Sequence, residues 1–231
     1  RLVCISPGTI LFSLLYGLGI VLRNLCYDLG LLKQTAFSLP VISVGNLTAG
    51  GTGKTPHTEY LVRLLSEQYR VATLSRGYGR TTTGFFLCTG TVTAAEAGDE
   101  PCMYKQKYPG ITVAVDEDRA EGIRKLLGMS PAPAVILLDD AFQHRAVRPG
   151  LSLLLMEHSA VLRTNFLLPA GTLREFPSAA KRANAIIVSK TPSVFPSSER
   201  KRYEERIKPR QGQNIFFSFL CNDCSLQCKR T

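Results

Sequence analysis

The chain has 231 residues, 45% of them hydrophobic and 20% charged, a composition that buries a sizeable core and excludes a disordered polypeptide. Its net charge of +10 is uneven: residues 1–160 hold 15 Lys+Arg against 13 Asp+Glu (+2), whereas residues 161–231 hold 13 against 5 (+8). Aromatic residues interleaved with the basic run are sparse, so no nucleic-acid partner is expected, while anionic lipid and a phosphorylated substrate both stay open.

The chain opens on Arg1, not on Met, and an upstream segment is expected. Residues 8–22, "GTILFSLLYGLGIVL", carry no charge until Arg23. The run is shorter than the ~20 apolar residues of a membrane span. It reads either as a helix packed on the domain or as a helix lying in the interfacial layer, with Arg1, Arg23, Tyr16 and Tyr27 at headgroup level.

A Val/Ile-rich strand follows within "FSLPVISVGNL". "TAGGTGKT" (48–55) comes next, and then an amphipathic helix with Tyr60, Leu61, Leu64 and Leu65 at helical spacing. Strand, glycine-rich turn and Lys-Thr at a helix start are the parts of a phosphate-binding P-loop, in which backbone N–H groups cradle phosphates. The usual pattern G-x-x-x-x-G-K-[ST] has glycine where this chain has Thr48, which costs little if that residue keeps a negative φ. Thr48, Ala49, Gly50, Gly51, Thr52, Gly53, Lys54 and Thr55 are therefore the candidate nucleotide-binding residues. Lys54 would bridge phosphate oxygens and Thr55 would ligate Mg²⁺.

"RVATLSRGYGR" reads as a second strand entering a glycine-rich turn with Arg76 and Arg80, which could hold anionic charge. "AGDEP" (97–101) places Asp99 and Glu100 side by side and reads as a loop. By spacing alone it is a solvated turn, although a kinase needs a carboxylate beside its acceptor hydroxyl. "GITVAVDED" is a third strand and "DRAEGIRKLLG" a helix. "APAVILLDDAFQHR" is a fourth strand, apolar until Asp139 and Asp140. Asp139 is the candidate Mg²⁺ carboxylate. Because side chains alternate along a strand, both aspartates serve one site only if the strand stops at Leu138. His144 reads equally as a substrate contact or a loop residue. "LSLLLMEH" and "ANAIIVSKTP" are further strands, "LLPAGTLREFP" is a loop bearing Arg174, and a charged helix follows in "SVFPSSERKRYEERIKPR".

Strands alternating with helices predict an α/β fold, a mostly parallel P-loop NTPase-type sheet covered by helices. Residues 1–35 form an N-terminal apolar membrane-associated segment and residues 36–231 the P-loop core. Four of the seven cysteines (Cys4, Cys26, Cys88, Cys102) are scattered and read as reduced thiols. The ending "CNDCSLQC" offers three sulfurs, Cys221, Cys224 and Cys228, where tetrahedral zinc needs four ligands, so no metal is expected there.

Five collinear motifs, "PVISVGNLTAGGTGKTPHTEYL", "SRGYGR", "GDEP", "LLDDAFQHR" and "LLPAGTLRE", together resemble the tetraacyldisaccharide 4'-kinases (lipid A 4'-kinases) of Gram-negative bacteria, whose loop also starts on threonine. The resemblance implies an ATP- and Mg²⁺-dependent kinase, acting as a monomer at the cytoplasmic face of the inner membrane. It would phosphorylate the 4'-hydroxyl of tetraacyldisaccharide 1-phosphate to form lipid IVA. It places the general base at Asp99 and puts Glu100, Asp140, Gln143, His144, Arg174 and Glu175 near the site. Family members continue through a second lobe, so the resemblance implies that this chain is C-terminally truncated.

Overall fold

The computed structural model describes residues 7–220 and 226–230, with Pro7, Leu220 and 226–230 described by their backbone alone. The cysteine cluster lies outside the described residues, apart from the backbone of Cys228. In chain order the elements are α1 (Pro7–Asp28), β1 (Val41–Asn46), α2 (Lys54–Ser66), β2 (Val71–Ser75), β3 (Phe86–Cys88), α3 (Ala94–Ala97), α4 (Asp99–Lys107), β4 (Thr112–Val115), α5 (Arg119–Leu127), β5 (Val135–Asp139), β6 (Leu151–Glu157), α6 (His158–Val161), β7 (Ala185–Ser189), α7 (Ser197–Ile207), β8 (Asn214–Leu220) and β9 (Leu226–Arg230). Contacts divide the chain into two compact units. One comprises the residues up to Lys33, Asn46–Gly53 and those from Leu153 onward; the other comprises Gln34–Gly45 and Lys54–Ser152.

The unit holding most of β1–β5 is ordered β3-β4-β2-β5-β1. All its neighbours are parallel except β3, which runs antiparallel to β4 at the edge. Strand β5 explains the arrangement best, because every one of its residues is buried. Ile136 and Leu138 face α5, packing with Ile123 and Leu126. Val135 and Leu137 face the other way, joining Val62 of α2 and Tyr104 of α4. A strand buried on both faces can be apolar throughout, and each such Leu or Ile contributes about 2 kcal/mol by leaving water. That alternation also settles where Asp139 points, since it continues the Val135/Leu137 face towards α2 and α4.

In the other unit the order is β6-β7-β8-β9, with β6, β7 and β8 parallel and β9 antiparallel to β8. An aromatic cluster of His158, Phe195, Tyr203 and Phe217 anchors α7. Strands β3, β8 and β9 are additions to the sequence reading. The first is only three residues long, which leaves too little alternation to detect.

Helix α1 runs 22 residues, past the charge-free segment to Asp28. The reason is tertiary: Arg23 and Asn24 are bound by Glu175, and this extends the helix beyond Leu22. Ser13, Gly17, Ile20 and Asn24 recur at helical spacing as an inner stripe. Ser13 donates to the Leu167 carbonyl at 3.0 Å, and Tyr16 donates to that of Arg174 at 3.1 Å. A Cβ at Gly17 would lie 2.7 Å from Leu167 Cδ1 and would force that side chain to shift. The outer stripe is apolar and exposed: Leu11, Phe12, Leu14, Leu15 and Leu18 are each more than half accessible. The helix is thus turned inside out relative to a soluble amphipathic helix, with small and polar residues inward. It is long and apolar enough to cross a membrane.

Candidate active site

The glycine-rich loop leaves β1 as predicted. Gly50 and Gly53 take φ values of 131° and 82°, which side-chain-bearing residues avoid. Thr48 is not among the residues with positive φ, so the threonine in the first position is accommodated without backbone strain. Its backbone instead forms an antiparallel bridge to Leu173. Ala49 N–H donates to the Thr172 carbonyl at 2.6 Å, and Arg174 N–H donates to that of Leu47 at 2.7 Å. Within the loop, the buried Asn46 amide donates to Thr52 Oγ1 at 2.8 Å. The predicted phosphate loop and the Arg174 loop are therefore hydrogen-bonded neighbours in one unit.

In the other unit, α2 begins at Lys54, and its first-turn N–H groups have no partners within the helix. Lys54 Nζ lies 3.5 Å from Asp140 Oδ1, and Thr55 Oγ1 donates to Glu100 Oε1 at 3.3 Å. One turn on, Thr58 donates to Asp139 Oδ1 at 3.4 Å, while Tyr104 O–H donates to Asp139 Oδ2 at 2.8 Å. Strand β5 ends one residue later than the condition set above, at Asp139, yet both aspartates reach α2. Asp140 adopts a left-handed φ of 49°, and this turn redirects its side chain towards Lys54. Gln143 and His144 lie half-buried in the turn that follows.

The "AGDEP" segment is not a loop. Asp99 is the first residue of α4, with Gly98 as N-cap at φ 93° and Pro101 in the first turn. Proline suits that position because no helical donor is needed there, and the two carboxylates suit the positive end of the helix dipole. Asp99 and Glu100 are exposed. Gly98 is required by a close approach: a Cβ there would meet the Tyr78 carbonyl oxygen at 2.9 Å. "SRGYGR" and "GDEP" thus touch backbone to backbone.

Two predicted site residues are occupied elsewhere. Arg80, with its side chain 2% exposed, is bound to Glu117 and to the Gly84 carbonyl. Glu175 is fully buried and spends both oxygens on Arg182, at 2.8 and 3.1 Å, with Asn24 donating at 3.0 Å. Arg76 is exposed at the end of β2. Its charge, after burial, helps push the neighbouring Arg119 guanidinium down to about 10. Arg119, Thr58 and Tyr104 were not singled out from sequence. Only Thr58 carried a usable signal, four residues after Lys54 on one face of a helix.

Burial first, then the Glu100 and Asp140 charges, push the Asp139 carboxyl up to about 6. Tyr104 donating to it and Lys54 act the other way. Lys54 acts on Asp140 and Asp139, the Glu100 charge adds to theirs at Asp139, and the Arg119 guanidinium offsets part of this negative charge; a cation would offset more. Among the described residues no three His, Cys, Asp or Glu side chains form a metal cluster. Mg²⁺ does not require one, because it binds through one or two protein oxygens, water and phosphate. Thr55 Oγ1 with the acidic oxygens fits such a cation. Both Asp139 oxygens already accept hydrogen bonds, so that residue suits contact through water.

A raised carboxyl pKa means that the folded chain holds the proton more tightly than the unfolded chain. The associated stability is complete below the ordinary value of 3.8 and is lost as pH rises through about 6. Asp139→Asn is therefore expected to be relatively more stable at pH 7 than at pH 4, the difference from wild type moving by about 2 kcal/mol. Urea unfolding of both proteins at the two pH values measures this; a difference that does not change with pH would refute the assignment.

The family model for Tetraacyldisaccharide-1-P 4'-kinase (LpxK) matches residues 8–220. The tetraacyldisaccharide 4'-kinase of Flavobacterium johnsoniae is 49% identical over 220 residues, covering 94% of this chain and 64% of the relative. That of Parabacteroides distasonis is 49% identical over 209 residues, covering 90% and 57%. The crystal structure of an "apo" form LpxK from Aquifex aeolicus in complex with ATP superposes with a TM-score of 0.75 at 36% identity, covering 93% of this chain and 65% of that one. The chain thus spans less than two thirds of the length of these relatives. With the glycine-rich loop, the Lys54–Asp140 pair and the Asp99 helix start all inside the matched region, the chain belongs to the tetraacyldisaccharide-1-P 4'-kinase family.

Proposed function

We propose that the chain carries the ATP-dependent 4'-kinase activity of its family, moving the γ-phosphoryl group of ATP to the 4'-hydroxyl of tetraacyldisaccharide 1-phosphate. The observation supporting this most directly is the gathering of Lys54, Thr55, Glu100, Asp139 and Asp140 at the start of α2. Residues 48–55 hold the phosphates through backbone N–H groups, and Lys54 neutralises phosphate charge. Thr55 and Asp139 would hold Mg²⁺, which would neutralise charge on the phosphoryl oxygens. Asp99 takes the proton of the 4'-hydroxyl as its oxygen forms the new bond to phosphorus and the bond to the β-phosphate oxygen breaks, releasing ADP. Its exposure at the start of α4 leaves it accessible to an acceptor. Arg76, Gln143, His144 and Arg174 orient the anionic acceptor, whereas Arg80 and Glu175 hold the loops that carry such residues.

The acceptor is a lipid, and the apolar outer stripe of α1 supports association with the cytoplasmic face of the inner membrane. In this reading residues 1–35 form the docking segment, residues 36–231 form the kinase core, and the chain acts as a monomer. The test is transfer from γ-labelled Mg-ATP to tetraacyldisaccharide 1-phosphate in mixed micelles. Wild type is expected to transfer label, and Asp99→Asn to lose at least about a hundredfold in rate while binding ATP as before. Equal rates in the two proteins would remove Asp99 from the mechanism, and ATP hydrolysis without any labelled lipid would sink the acceptor assignment.

A further inference from the structure

Strand β7 ends in Ser189 and Lys190, two residues that the kinase reading above leaves unused. Ser189 is 1% exposed, and its hydroxyl donates to the Thr52 carbonyl of the glycine-rich loop at 2.7 Å. Lys190 follows with a left-handed φ of 58°. That conformation is uncommon for a residue with a side chain and turns the chain sharply at the strand end. The turn brings Lys190 Nζ to 4.0 Å from where a Cβ on Gly51 would sit. The same ammonium makes an ion pair with Glu157 Oε1 at 3.4 Å, with both side chains about one-third exposed. Glu157 and Ser189 are register partners on the parallel strands β6 and β7. Lys190 is therefore held beside the loop by a partner on the adjacent strand, and partial exposure makes that ion pair weak.

We infer that Lys190 is a second phosphate-binding lysine, which leaves Glu157 to contact the polyphosphate of a nucleotide seated on the Gly50–Gly53 loop. Ser189 keeps the loop carbonyl at Thr52 turned away from the phosphates. The carbonyl is satisfied by a hydroxyl donor, so the loop presents N–H groups rather than oxygens to the anion. Glu157 acts as a competitor: it parks the ammonium when no nucleotide is bound and releases it to a more highly charged partner. The ligand class is a nucleoside di- or triphosphate, and the inference rests on the loop being the nucleotide site.

Equilibrium binding of ATP and of adenosine to the whole chain, without a lipid acceptor, tests it. Lys190→Met keeps the apolar stem and removes the charge. It is expected to weaken ATP binding about tenfold, the loss of one charge-assisted hydrogen bond, and to leave adenosine binding unchanged. Glu157→Gln is expected to tighten ATP binding a few-fold, and Lys190→Arg to retain most of the affinity. The melting temperature of each variant, matched to wild type, separates lost binding from lost folding. ATP affinities of Lys190→Met and Glu157→Gln both within twofold of wild type would overturn the role of Lys190 while leaving the kinase reading intact. Failure of the wild-type chain to bind ATP at all would overturn the nucleotide site itself, and this inference with it.

Discussion

Lys54→Ala is expected to abolish phosphoryl transfer, with a rate loss of about a thousandfold or more and ATP affinity weakened by at least tenfold. The size follows from the local charge balance. Lys54 is the cation beside Asp140, and its field also restrains the rise of the Asp139 pKa. Without it, Asp139, Asp140 and Glu100 would meet an incoming triphosphate without their neighbouring lysine, and the remaining favourable field would be that of the α2 N-terminus and of positive charges such as Arg119 that also act on the two aspartates. The substitution also removes the Lys54–Asp140 ion pair, which ties the turn after β5 to α2. Folding is expected to survive, because the Lys54 side chain retains some solvent contact and contributes nothing to the apolar clusters. The measurement is single-turnover transfer together with nucleotide titration. A variant retaining a tenth of wild-type transfer would show that the helix N-terminus and the loop N–H groups suffice.

The largest effect on stability is expected at Glu175. Its carboxylate is fully buried and receives Arg182 in a bidentate arrangement, Asn24 at 3.0 Å and Arg23 at 3.6 Å. Glu175→Ala removes the common acceptor and leaves guanidinium and amide donors without it around a fully buried position. Breaking such a buried pair from one side costs about 3–5 kcal/mol, a large share of the total stability of a domain this size. Arg182 and Arg23 keep some solvent contact, which places the expectation at the lower end of that range. Denaturant unfolding measures the loss, and a cost below about 1 kcal/mol would show that water replaces the carboxylate. Since Arg23 and Asn24 belong to α1, the variant is also expected to loosen the C-terminal turns of that helix. Faster amide hydrogen exchange in those turns would report this directly.

Much of the site was legible in the residues themselves because its parts are local. The glycine loop, Lys54 and Thr55 are contiguous, and β5 announces itself by running apolar into two aspartates. The Asp99 segment was legible as a motif and misread as a conformation. A proline two residues after an aspartate reads as a turn, and only the packing of Gly98 against the Tyr78 carbonyl shows that it opens a helix. Arg80 and Glu175 illustrate a different limit. Each is a charged residue on a glycine-bearing loop, the pattern of an anion-binding residue, and each is matched by an ion partner distant in sequence, Glu117 or Arg23.

The sequence by itself determined the α/β reading and the expected place of a phosphate loop, and five collinear motifs carried the resemblance to the family. The first two rest on spacing within a few residues, which backbone geometry makes binding, and the third on the order of motifs along the chain. Tertiary structure decided which charges remain available for chemistry, because availability depends on the partner across a turn or on the next strand. It also decided the two features that no local pattern carries. One is that β5 alternation aims Asp139 at Thr58 and Tyr104, whose burial raises its proton affinity. The other is that the end of β7 lies against the glycine-rich loop, bringing Lys190 from far along the chain to Gly51.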